Sequence, residues 1–168
     1  VYNGGVDGYD AGNELYKLIR DVRNLHPHLI ISFSGINNIL REEYPYVPKH
    51  LDSVFGAIFQ EGYCRGLKED AMSAAQIWAQ QEQMMYAVST YVYRAKFVCF
   101  AQPTYISKNV LSFEERLKHE LDVGYRESGL AFRKEVSKLV EQYEWMVDIQ
   151  DMLDDNPEVF MDCAHVYE

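Results

Sequence analysis

Near the end of the chain, Asp162-Cys163-Ala164-His165 sets a carboxylate three residues before an imidazole. In a loop just past a strand, that spacing lets Asp162 accept the Nδ1–H of His165, fixing its tautomer and stabilising the imidazolium while Nε2 acts as general base. Acyl transfer also needs donors for an oxyanion. Asn37, in Gly35-Ile36-Asn37-Asn38, carries a side-chain amide, and the glycine turn at Gly8, in Asn3-Gly4-Gly5-Val6-Asp7-Gly8-Tyr9, can present a backbone N–H. Each such donor lowers the barrier by about 3 kcal/mol. Asn38 and Gln102, the latter in Gln102-Pro103-Thr104, are expected to shape the same site. Taken singly, Asp162 with His165 reads as a structural hydrogen-bonded pair, Asn37 as a turn residue and Gly8 as a turn glycine.

The elements around these residues predict how they meet. Leu15, Leu18, Ile19, Val22 and Leu25 recur at helical steps from Asp10 to Leu25, and LIISFS (Leu29 to Ser34) follows as a buried, parallel strand. VYN at the start reads as the tail of a preceding strand, and Ile39 to Gly66 as an aromatic-rich excursion. Glu69 to Arg94, without Pro or Gly, predicts a long helix, and KFVCFA (Lys96 to Ala101) the next strand. Ser112 to Asp155 reads as mostly helical, broken near Gly124 or Gly129, and VFMD (Val159 to Asp162) as a last short strand. The alternation predicts a doubly wound α/β fold, in which ligands sit beyond the carboxyl ends of the strands. The four post-strand segments would converge on one rim.

Three of these segments, in order, resemble the conserved blocks of the SGNH (GDSL-like) esterases and lipases. NGGVDGY is similar to the second block, GINN to the third (Gly-x-Asn-Asp) and DCAH to the last (Asp-x-x-His), a likeness running from Asn3 to His165. It implies a three-layer, flavodoxin-like sheet, with Gly8 and Asn37 as oxyanion hole, His165 as base, Asp162 as its orienter, and ester hydrolysis through an acyl-enzyme. The family's Gly-Asp-Ser block, with the nucleophile, has no counterpart here and is expected upstream of Val1, together with a first, central strand. Asn38 stands where the family has Asp. The stretch 39–94 is expected to be an insertion or lid within a single domain spanning 1–168, and the family's terminal helix is missing after Glu168. The expected substrate is an acyl ester, with O-acetyl groups on a carbohydrate as the leading choice and lipid or thioester acyl groups as others. No cofactor is called for. A non-catalytic glycan- or protein-binding domain and an O-acyltransferase are the rival readings.

Composition narrows the classes further. With 168 residues, 48% hydrophobic and 25% charged, the chain has the make-up of one globular domain. A net charge of −10 speaks against nucleic acid as partner, and no apolar run is long enough for a membrane span. Cys64, Cys99 and Cys163 lack disulfide or zinc spacing, so no metal site is expected. Ser34 lacks the Gly-x-Ser-x-Gly pattern of a nucleophile elbow and, beside Phe33 and Ile36, reads as a buried hydroxyl, and Cys163 reads as a filler thiol. The acidic residues Glu141, Glu144, Asp148, Asp151, Asp154, Asp155 and Glu158 lack the pattern of a calcium loop and read as a solvated helix face with a frayed end. The compartment and the oligomeric state stay open.

Overall fold

The computed structural model describes residues 1–40, 72–119, 125–156, 159–160 and 165. Strand β1 (Leu29–Ser34) and strand β2 (Lys96–Ala101) form where their β-branched and aromatic runs predict them. They pair in parallel, from Leu29 opposite Lys96 to Ser34 opposite Ala101. Strand β3 (Met146–Asp148) lies parallel on the far side of β2, giving the order β1-β2-β3. The protein is thus mixed α/β, a small parallel sheet with flanking helices.

Helix α1 (Ala11–Asp21) occupies the predicted amphipathic segment and runs into a 3-10 turn over Val22–Asn24. The side chain of its N-cap, Asp10, accepts from the Asn13 backbone N–H at 2.9 Å, satisfying one of the donors a helix start leaves open. A short helix α2 (Ile36–Leu40) follows β1 directly. Helix α3 (Ala74–Ala87) begins with a capping box between Ser73 and Gln76 and continues as a π-helical turn over Val88–Val92. Trp78, Ala79, Glu82 and Met85 on α3 are buried. Of the expected 39–94 insertion, the part described after Leu40 is this core helix and its flanks, on the crossover from β1 to β2. The aromatic excursion lies almost wholly outside the described residues.

Helices α4 (Phe113–His119) and α5 (Tyr125–Val140) fill part of the expected helical stretch. Of the two glycines expected as alternative break points, Gly124 falls outside the described residues, between α4 and α5. Gly129 does not break a helix but lies inside α5, where a Cβ would come within 2.6 Å of the Ile106 carbonyl oxygen, so glycine allows the helix to close on that loop. Helix also does not reach Asp155. The chain turns at Glu141 and Gln142, and β3 (Met146-Val147-Asp148) forms after Trp145, whose carbonyl accepts the Cys99 backbone N–H at 2.9 Å. The described acidic residues of the expected helix face are therefore divided among turns and β3, with Asp154 in an ion pair, while Glu158 lies outside the described residues. At the start, Val1 to Val6 have no regular structure, so the VYN strand is not formed; at the end, Phe160 makes an isolated bridge and Asp162 lies outside the described residues.

The core sits between the sheet and the layer of α1, α3 and α5. Trp78 meets Phe132 of α5 edge to face at 5.8 Å, and Tyr105, Ile106, Phe97 and Val136 belong to the same buried cluster. β1 is not buried on both faces. Its large apolar side chains, Leu29, Ile31 and Phe33, are about half exposed, while Ser32 and Ser34 point inward. This inverts the usual alternation, and the inward hydroxyls have a specific partner, described below.

Candidate functional site

Three of the four expected post-strand segments meet at the carboxyl ends of the strands. Asn37 lies in the first turn of α2, just after β1, and its Nδ2 donates to the Tyr9 carbonyl at 2.9 Å. That bond ties the block around Asn37 to the loop around Gly8. The loop itself is a turn closed by the Tyr9 N–H on the Val6 carbonyl, with Gly8 at φ +69° in the left-handed region that glycine adopts without strain. A primary amide has two N–H bonds, and Tyr9 takes one of Asn37's. Gln102 is brought to the same rim because its backbone N–H donates to the Ser34 carbonyl at 2.9 Å. Gly35, at φ +130°, makes the bend between β1 and α2 against the Phe132 ring.

Asn38 does something else. Its Oδ1 accepts the Ala11 N–H at 3.1 Å and its Nδ2 donates to Gln81 Oε1 at 3.1 Å, so this buried amide fastens α1 and α3 to α2. A carboxylate could accept from Ala11 but could not donate to Gln81 Oε1 as Asn38 does. His165 is exposed, and Asp162 lies outside the described residues, so the pair is not seen together. Cys163 is likewise outside them. Ser34 is buried, with its hydroxyl engaged by Glu82 and by Trp78 Nε1.

No family model, curated protein or solved structure matches this chain.

The structure also assembles groups that spacing along the chain did not reveal. Glu82 of α3 is fully buried, and its Oε1 accepts from Ser32 Oγ at 2.8 Å and from Ser34 Oγ at 2.9 Å. Burial pushes its carboxyl up to about 7 despite those hydroxyls. Glu14 of α1 approaches the same Ser32 hydroxyl at 3.4 Å, and its carboxyl is also raised, by burial first and by the Glu82 charge second. Asp148 ends β3 at the rim, where it accepts from Ser137 Oγ at 2.6 Å and from the Gln150 backbone and side chain. Two other ion pairs hold the loop after β2. Lys108 meets both Glu115 oxygens at 2.9 and 3.0 Å inside the protein, and Arg133 grips Asp154 with two bonds of 2.9 Å. Neither was legible beforehand, since each partner reads alone as surface charge. Among the described residues, no group of three or more His, Cys, Asp or Glu is placed to hold a metal, and no helix is long and apolar enough to cross a membrane.

Proposed function

We propose that this chain belongs to a serine esterase of the SGNH type, folded as a three-layer, flavodoxin-like doubly wound sheet and acting on an acyl ester, with O-acetyl groups on a carbohydrate as the leading substrate class. The observation that supports it is the Asn37 side chain bound to the Tyr9 carbonyl, which brings two separated sequence blocks, each with one oxyanion donor, to one rim beyond β1. In this reading the second Asn37 N–H and the Gly8 backbone N–H receive the oxyanion. His165 takes the proton of a serine upstream of Val1 and returns it to the leaving alcohol, and Asp162 holds the imidazole in the needed tautomer. Water then attacks the acyl-enzyme by the same route in reverse.

The test is made on the full-length protein. It should label with a fluorophosphonate at a serine in a Gly-Asp-Ser segment, and His165→Ala should lower kcat on an acetyl ester by about three orders of magnitude or more with the fold intact. Unchanged turnover in His165→Ala, or no labelled serine, overturns the proposal and favours a binding domain. Transfer of acetyl to an added sugar in preference to water would replace hydrolysis with acyl transfer.

A further inference from the structure

Directly beneath the rim lies a buried polar cluster that the esterase reading does not use. It joins three elements: Glu14 from α1, Ser32 and Ser34 from β1, and Glu82 from α3. The proton count in this cluster is informative. A serine hydroxyl has one proton to donate, yet Ser32 Oγ faces carboxylate oxygens on two sides, Glu82 Oε1 at 2.8 Å and Glu14 Oε2 at 3.4 Å. With both acids ionised, one contact is a lone pair against a lone pair. With Glu14 protonated, both are hydrogen bonds, running from Glu14 O–H to Ser32 and from Ser32 O–H to Glu82.

A second geometric fact points the same way. Among the described residues Glu82 Oε2 is buried with no nitrogen or oxygen donor, the weakly donating Cys99 thiol being the remaining group that bonds this carboxyl, and an ionised oxygen so placed is costly to keep. Among the described residues, the groups acting on the two carboxyls supply no positive charge. They are Asp10 on α1, the two serine hydroxyls of β1 and the Cys99 thiol of β2, with the Trp78 indole bound to Ser34 and the Phe132 ring of α5 packed against that indole. Both acids are held above the ordinary carboxylate range, as this geometry requires.

We propose that Glu14 and Glu82 form a proton-sharing pair that fastens α1 to β1 and α3 while the proton is held, and loosens them when it leaves. The rim responds because the same helices carry it. Glu82 follows Gln81, which binds Asn38, and Glu14 lies one turn from Ala11, whose N–H Asn38 accepts. The device is therefore a pH-operated clasp under the Gly8–Asn37 rim. It stands whether or not the rim hydrolyses esters.

The sign follows from the direction of the shifts. A carboxyl held above its unfolded value keeps its proton in the fold at mildly acid pH, so stability is greatest there and falls as pH rises from about 4.5 through about 7. The experiment is urea unfolding of the full-length protein between pH 5 and pH 8, compared with Glu82→Gln. The amide preserves the acceptor for Ser32 and Ser34 and cannot ionise. The wild-type midpoint should fall across this range, and the variant's fall should be clearly smaller, since histidines and surface acids titrate equally in both. Equal slopes overturn the proposal. Should Glu82→Gln not fold, the infrared carbonyl band of a protonated buried carboxyl in wild type at pH 6, fading by pH 8.5, decides the matter, and its absence at pH 6 overturns it. Exchange protection at the Ala11 amide, corrected for intrinsic rate, should drop over the same interval; protection unchanged while the clasp ionises would refute the coupling to the rim.

Discussion

Substituting Lys108 by Met tests how the loop after β2 is held. The Lys108 and Glu115 side chains are 2% and 1% exposed, and Nζ gives bonds to both Glu115 oxygens and, at 2.8 Å, to the Asn156 carbonyl. Removing one partner of such a pair strands the other as a buried charge, which costs about 3–5 kcal/mol. Glu115 would keep one donor, the Ser112 backbone N–H at 2.9 Å, and this moves the expected loss toward the lower end. The orphaned Asn156 carbonyl adds about 1 kcal/mol, and the lost cation over the Phe160 ring, at 5.9 Å, adds about 0.5 kcal/mol or more. Lys108→Met should therefore destabilise by about 4 kcal/mol, read as a drop in urea midpoint at constant m-value. Lys108→Met with Glu115→Leu should cost much less than the two single changes added together, because no charge is then left buried. Additive singles, or a loss below about 1 kcal/mol for Lys108→Met, would refute the reasoning.

Two further changes probe how helices meet their neighbours. Gly129→Ala puts a Cβ 2.6 Å from the Ile106 carbonyl oxygen, a backbone atom that cannot swing away, so the clash should outweigh the roughly 1 kcal/mol gain in helix propensity and leave a net loss of about 2 kcal/mol. A Tm equal to or above wild type would show that α5 and the loop can separate freely. Ser73→Ala removes the α3 cap and the hydroxyl that donates to Glu135 of α5 at 2.6 Å, for an expected loss of about 1–2 kcal/mol in chemical unfolding. No change in midpoint would mean that α3 gains nothing from either bond.

The sequence by itself determined those parts whose cause is local. The three- and four-residue spacing from Leu15 to Val22 makes α1, and LIISFS and KFVCFA make β1 and β2 because β-branched and aromatic side chains suit a pleated surface. The turn chemistry of Gly8 and Gly35 was legible for the same reason, since glycine takes a positive φ without strain. What only the tertiary structure decided depends on who stands opposite. Met146-Val147-Asp148 becomes a strand because β2 offers it an edge, and the acidic residues around it disguised it as helix. Gly129 sits within a helix because a loop carbonyl presses on it. Ser32 and Ser34, inside a run read as apolar and buried, turn inward because Glu82, about fifty positions along the chain, needs their hydroxyls. Asn37 and Tyr9 meet for a similar reason, since the start of α1 is fastened to α2 by the Ala11 N–H on Asn38 Oδ1. Patterns of period two and 3.6 record which face is apolar; they do not record which buried charge finds which partner, because that choice is made by contacts between residues far apart in the chain.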